Sequence, residues 1–356
     1  DEIGVGLHAL NPGIAVGPMY TRPDPGHLES LDPKGIYLLP ETISHLPPIA
    51  GILTAGEGNP LSHVQLLARN LGIPNVSVNE RLTPRLDPHN GEQTVLAVSP
   101  AGLVELARFD DRWAGILGKS GGASDVVIRP DLNKLDLSVR EFVDLDDLRA
   151  DDSGRSVGPK AAKLGGLRTA FPEAVAPGVA IPFGVFKAEV LDRPYQGEQR
   201  SVFEWMVSQY QALTGLPPGS DERTRKTEAF RAELYQLILD TKPSAAFRDR
   251  LKSALVAAFG SADTGVFVRS DTNVEDLPGF TGAGLNLTLP NVVGFDNLLA
   301  AISRVWASPF TARAFAWRQS HMESPEHVYT SILLLKSVAS DKSGVLVTQD
   351  LDTGDR

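Results

Sequence analysis

The sequence contains no cysteine. Disulfides, thiolate metal sites and cysteine nucleophiles are therefore excluded, and any chemistry must use oxygen and nitrogen groups. Nor is there a run of 18 or more apolar residues or a signal-peptide pattern, so no membrane partner is expected. The missing cysteines fit a cytoplasmic location, and no targeting segment is visible. Positive charge is in short supply, 34 Lys and Arg against 44 Asp and Glu, a formal net charge of −10. The basic surface that displaces counterions from nucleic acid is thus lacking, and no nucleic-acid partner is expected. ATP remains open, because a few local cations suffice to hold a phosphate.

What is present points to several domains. The chain has 356 residues, 42% of them hydrophobic, with 33 glycines and 26 prolines, which implies sizeable cores joined by many turns. It begins at Asp1 and ends in "VLVTQDLDTGDR", within what reads as a domain, so a fragment of a longer protein is expected. Over 1–105, "GIAVGPMY", "GIYLLP", "IAGILTA", "IPNVSV" and "QTVLAVS" read as short strands, with one clear helix at Ser62–Leu71 and "AGLVELAR" as a second. Over 106–155 acid accumulates, with Asp144, Asp146, Asp147, Asp151 and Asp152 close together. That segment reads as a solvated linker; a metal site there is conceivable, though the spacing does not demand one. From 156 a second domain follows. "VGPKAAKLGGL" leads into a helix, a helical stretch covers 201–258, and "TGVFVRSD", "YTSILLLKSV" and "SGVLVTQDL" read as strands.

His63 stands directly after Ser62, a good N-cap. Val64, Leu67, Ala68 and Leu71 then fall at i, i+3, i+4 and i+7, giving one apolar face, and Gly72 with Pro74 ends the helix. A helix N-terminus offers unpaired N–H groups and partial positive charge, which keep an imidazole neutral and would hold a phosphate placed on it. Taken alone, the residue reads first as an ordinary surface histidine. In the second domain, Lys160 enters a helix from a Gly/Pro turn, and Arg269–Ser270 end a strand before a loop carrying Gly279, Gly282 and Gly284. Lysine at a helix start, arginine at a strand end and glycines that expose backbone N–H groups are all phosphate-binding arrangements. Each also has a bland reading as surface charge or flexible turn. Arg313 and Arg318 share one expected helix and read as solvated or ion-paired.

Together these stretches resemble the phosphoenolpyruvate-utilising dikinase superfamily. "ILTAGEGNPLSHVQLLARNLGIPNV" is similar to its phosphohistidine domain. "VGPKAAKLGGL", "VFVRSDTNVEDLPGFTGAG", "RVWASPFTARAFAWR" and "SGVLVTQDLDTGD" resemble, in order, its ATP-binding domain. The resemblance implies an α/β and α+β multidomain chain. A swivelling β/β/α phosphohistidine domain covers 1–105, an acidic linker 106–155, and an ATP-grasp-like nucleotide-binding domain 156–356, incomplete at its C-terminal end. It implies transfer of the ATP β-phosphate to His63, giving AMP and phosphate, then onward to an acceptor. Lys160, Arg269, Ser270, Gly279, Gly282, Gly284 and Arg313 match positions of the ATP site. Mg²⁺ is implied as well, with its acidic ligands beyond residue 356.

In the synthases and pyruvate dikinases of this superfamily the ATP domain precedes the histidine domain; in glucan water dikinases it follows, as here. A glucan acceptor is therefore one expectation, and a synthase-like enzyme with permuted domains the other, a small-molecule or carbohydrate acceptor in either case. A non-catalytic nucleotide-binding regulatory module is a third reading, and a homo-oligomer is left open. Two departures stand out. Pro159 replaces a glycine and removes one N–H from the helix start. Glu57 puts an acid near the reacting histidine, where it would repel phosphate or fix the imidazole tautomer.

Overall fold

The computed structural model describes residues 6–24, 31–40, 49–56, 65, 68–69, 72–79, 81–117, 128–217, 219–275 and 287–342. The side chains of 115–117, 313 and 320 are not described. His63, Ser62, Glu57, Val64, Leu67, Leu71, Gly279, Gly282, Gly284 and the expected strand "SGVLVTQDL" lie outside the described residues.

The first half is built on a seven-stranded mixed sheet in the order β1-β5-β4-β3-β2-β6-β7. Its strands are β1 (Leu7–Asn11), β2 (Gly13–Tyr20), β3 (Ile36–Pro40), β4 (Gly51–Ala55), β5 (Asn75–Val78), β6 (Gln93–Val98) and β7 (Val104–Arg108). The central strands β2, β3, β4 and β5 are parallel; β1, β6 and β7 pair antiparallel at the two margins. The runs "IYLLP", "GILTA" and "NVSV" are almost wholly buried, as parallel strands covered on both faces must be. Side-chain alternation divides them between two cores. Ile36, Leu38, Leu53, Val76 and Val78 pack with Met19 and Leu96 in the sheet's own core. Tyr37, Leu39 and Ile52 point the other way, into a second core with Ala68 and Ile73.

"AGLVELAR" departs from the helix expected of it. Gly102 takes a left-handed turn at φ +81, and the chain returns as β7, antiparallel to β6. Ser99 closes that turn by accepting the Leu103 N–H on its hydroxyl at 3.0 Å. Eight residues with an early turn glycine offer too little length to nucleate a helix against an available strand partner.

The second half carries a five-stranded antiparallel sheet, β11-β10-β12-β9-β8. Its strands are β8 (Val143–Asp144), β9 (Gly178–Ile181), β10 (Val266–Thr272), β11 (Thr288–Val292) and β12 (Thr330–Lys336). The principal helices are α1 (Pro159–Ala170), α2 (Val202–Thr214), α3 (Asp221–Asp240), α4 (Ala245–Phe259), α5 (Phe295–Ala307) and α6 (Ala312–His321). The helical stretch expected over 201–258 is three helices, each opened by a serine. Ser201, Ser220 and Ser244 accept the N–H groups of Glu204, Arg223 and Phe247. Alternation again sorts the sheet. Val179, Ile181, Val266, Val268, Ile332 and Leu334 face the large core with α2 to α5, whereas Ala180 and Leu333 face a smaller one with Ala161 and Ala162 of α1.

The described part of the acidic segment is folded, not a solvated spacer. Leu145 and Leu148 are 0% and 1% exposed, and β8 adds an edge strand to the second sheet. Its acids are used locally: Asp144 accepts the Asp146 N–H, Asp152 accepts the Arg149 N–H, and Asp146 pairs with Arg168 at 2.5 Å. Among the described residues no helix is long and apolar enough to cross a membrane.

Candidate nucleotide-phosphate site

Strand alternation decides what the end of β10 presents. With Val266 and Val268 in the large core, Arg269 and Asp271 fall on the opposite face, toward α1. Asp271 is fully buried and reaches the start of α1. Its two oxygens accept the backbone N–H groups of Lys160 at 2.9 Å and Ala161 at 2.8 Å. Pro159 sits at the first helical position, where a missing N–H costs least, so the first two free donors of the helix both meet this carboxylate. The helix start, read from sequence as a phosphate cradle, is thus capped by an acid of the protein itself. Gly158 is required for the close approach: a Cβ there would lie 2.3 Å from Asp271 Oδ1. Its N–H donates to Ser331 Oγ at 3.0 Å, and that hydroxyl donates to the Asp271 carbonyl at 2.7 Å. Burial pushes the Asp271 carboxyl up to about 6, although Lys160, the two N–H groups and Arg269 pull it back down.

The Lys160 side chain turns to the strand end. Its ammonium donates to the Ser270 carbonyl at 3.1 Å and to Glu275 Oε1, while Glu275 Oε2 accepts the Thr272 N–H at 3.1 Å. The Glu275 side chain is 5% exposed and that of Lys160 26%, so the pair sits at the edge of the solvent. Ser270 belongs to this site through its carbonyl; its hydroxyl lies on the other face of the strand, buried without a partner. Arg269 Nε is also buried without a partner. Lys160, Arg269 and Ser270 are therefore brought together, as expected. Asp271 and Glu275 complete the group and were missed from the sequence. The available signal was the acid spacing in "RSDTNVED", two and six positions after Arg269.

Arg313 stands in the first turn of α6, and its side chain is not among those described. Around His63 the described neighbours are Gln65, Ala68 and Arg69, all helical. Gly72 adopts φ +62, its N–H donates to Arg69 O at 3.3 Å, and Ile73 N–H donates to Ala68 O at 2.9 Å. That is the glycine helix ending expected from the sequence. Asn11 Nδ2 adds bonds to the Ala68 and Ile73 carbonyls, at 3.1 and 2.7 Å. Gln65, placed off the apolar stripe, is nevertheless buried and accepts from Asn75 Nδ2. Ala68 belongs to a core that also contains Val274, Ala314, Trp317 and Val328 of the second half, so it packs in a core common to both halves. An enclosed cavity of about 80 Å³ lined by Leu7, Met19, Leu86, His89 and Arg108 contains none of the candidate residues.

Among the described residues no group of three or more His, Asp or Glu side chains could hold a metal ion.

Lys160 and Arg269 thus stand together where a strand ends and a helix starts. Residues 154–356, more than half the chain, match the model of the pyruvate phosphate dikinase AMP/ATP-binding domain. The chain belongs to that family. A rifampicin phosphotransferase of Streptomyces sp. is 30% identical over 222 residues, 62% of this chain and 24% of the relative. The phosphoenolpyruvate synthase of Pyrococcus furiosus is 35% identical over 130 residues, 36% of this chain and 16% of the relative. A probable phosphoenolpyruvate synthase of Methanothermobacter thermautotrophicus is 28% identical over 232 residues, 62% of this chain and 30% of the relative. The chain thus spans less than a third of the length of each of these relatives.

Proposed function

We propose that this chain is the phosphohistidine and nucleotide-binding portion of an ATP-dependent phosphotransferase of the dikinase type. ATP binds at the end of β10, where Lys160 and Arg269 take its phosphates. The imidazole of His63 attacks the β-phosphorus and the bond to AMP breaks; water then removes the γ-phosphate as inorganic phosphate, and phospho-His63 delivers the remaining phosphoryl to an acceptor. The observation that carries this reading is the match of 154–356 to an AMP/ATP-binding domain whose strand end and helix start gather Lys160, Arg269 and Ser270. A covalent intermediate splits one difficult transfer into two, and positive groups stabilise the phosphoryl as it moves. The glycines at 279, 282 and 284 and Arg313 are assigned to the same site, and the halves 1–105 and 156–356 to a swivelling domain and an ATP-grasp-like domain.

For the acceptor, the relatives favour the synthase-like reading over a glucan, since they are named phosphoenolpyruvate synthase and rifampicin phosphotransferase. A small organic molecule with a hydroxyl or enol oxygen is the acceptor class this supports.

The experiment is labelling. With the full-length protein, ATP carrying ³²P at the β-position labels the chain in an acid-labile form, and His63→Ala abolishes the label. Equal labelling of wild type and His63→Ala sinks the mechanism. ATP binding by the full-length protein without any labelling returns the chain to a non-catalytic regulatory module.

A further inference from the structure

The last turn of β10 touches three parts of the molecule through three consecutive residues. Asn273 is tied to the 327–329 segment, donating from Nδ2 to His327 O at 2.9 Å and accepting the Tyr329 N–H on Oδ1 at 2.8 Å. Val274, 4% exposed, lies in the core that joins the first sheet to α6, with Tyr37, Leu39, Ile52 and Trp317. Glu275 holds the Lys160 ammonium with one oxygen and closes the turn on the Thr272 N–H with the other. Val274 and Glu275 are adjacent in a hydrogen-bonded turn, so neither moves without the other. Val274 shares one continuous core with Tyr37, Leu39 and Ile52 on one face of β3 and β4 of the first sheet. On the other side of the same turn stands the lysine assigned to nucleotide phosphate.

We infer that the turn Thr272–Glu275 couples the seating of the first sheet to the setting of Lys160, with Val274 as the contact that registers seating and Glu275 as the positioning residue. The inference rests on the reading of Lys160 as a phosphate ligand. Seating packs Val274 and fixes the turn; the fixed turn holds the Glu275 carboxylate, which in turn holds the ammonium against the Ser270 carbonyl. Without seating, Val274 loses its apolar surroundings and the carboxylate loses its fixed place. Linkage makes the effect reciprocal: whatever seating adds to nucleotide affinity, nucleotide adds to seating.

The test titrates α,β-methylene-ATP, whose bridge prevents release of AMP, into full-length wild type and variants by calorimetry. Leu39→Asn, on the first sheet, is expected to weaken binding on the order of five- to ten-fold. Val274→Ser weakens it to the same degree, and the double variant is no weaker than either single one, because both break one coupling. Glu275→Gln, which keeps shape and the Thr272 bond, retains more affinity than Glu275→Ala. In the reverse direction α,β-methylene-ATP slows amide exchange over residues 36–40 in wild type and not in Val274→Ser. If circular dichroism shows that Leu39→Asn does not fold, Ile49→Ala in the same core takes its place. Affinity within about two-fold of wild type for the first-sheet variant overturns the coupling and leaves the Lys160 reading standing. Unchanged affinity in Lys160→Ala overturns that reading, and the inference with it.

Discussion

Asp271 accepts the backbone N–H of Ala161 at 2.8 Å, joining the end of one strand to the start of a helix 110 residues earlier in the chain. Its second oxygen takes the Lys160 N–H, so the helix start and the strand end move as one body. The carboxyl sits in full burial, which raises it from 3.8 to about 6. Folding therefore favours its protonated form. That contribution is fully present below pH 3.8 and is lost as pH rises through about 6. Asp271→Asn has nothing to titrate there. The stability of wild type relative to this variant is expected to fall between pH 4 and pH 7 by up to about 3 kcal/mol, at about 1.4 kcal/mol per unit. Urea denaturation at a series of pH values measures it; a difference independent of pH contradicts the assignment.

Two glycine substitutions should differ in cost for opposite reasons. A Cβ on Gly158 would meet Asp271 Oδ1 at 2.3 Å and Cγ at 2.4 Å, so Gly158→Ala must push the capping carboxylate away. Overpacking and a lost cap together are worth about 2–4 kcal/mol. Gly72, at φ +62, has nothing within 4 Å of an added Cβ. Gly72→Ala meets only the left-handed backbone penalty, about 1–2 kcal/mol. Thermal denaturation should rank Gly158→Ala well below Gly72→Ala; the reverse order would show that Asp271 is not held where α1 begins.

Removing Lys160 has a consequence separate from any nucleotide. In Lys160→Ala the Glu275 carboxylate, with a side chain 5% exposed, keeps only the Thr272 N–H. The lost partner was 26% exposed and partly screened by water, so the expected loss is about 1–3 kcal/mol and not the full cost of a deeply buried pair. Adding Glu275→Gln removes the stranded charge, and the double variant should recover part of the loss. Denaturant unfolding without nucleotide reads this directly. A double variant weaker than Lys160→Ala would mean that Glu275 is stabilised by something other than Lys160.

Much of this architecture is legible in the sequence because it follows from periodicity. The alternation of Val266, Phe267, Val268 and Arg269 places arginine opposite the core, and it stands there. The left-handed ending at Gly72 was readable from the glycine and Pro74. What was not legible depends on long-range partners. "AGLVELAR" becomes a strand because β6 is beside it. The acids of 144–152 are taken up by local caps and by Arg168, which a charge count does not reveal. The helix start at Lys160 was read as waiting for phosphate because the cap comes from Asp271, on a strand far along the chain. Likewise Gln65 is buried by Asn75 and Thr54, which only the β4–β5 pairing brings together.

Arg318, whose bland reading was a solvated or ion-paired arginine, is buried, and among the described residues no acid pairs with it. It is 5% exposed on α6, its Nε and Nη2 are buried without hydrogen-bond partners, and its guanidinium lies over the Phe310 ring at 5.4 Å. Burial pushes it down to about 10. At neutral pH the group is still charged, so the fold carries the cost of a desolvated cation offset mainly by the ring. Arg318→Met keeps the length and removes the charge. It is expected to leave stability unchanged or raise it by about 1–3 kcal/mol at pH 7. Because the folded value is lowered, wild type regains ground as pH rises through about 10, and the gap to the variant narrows there. Arg318→Lys retains a charge but loses the planar stack, so it should be less stable than Arg318→Met. Melting temperatures of the three proteins at pH 7 and pH 10.5 decide the matter. A Met variant clearly weaker than wild type at pH 7 would mean that the guanidinium has an acceptor in solution.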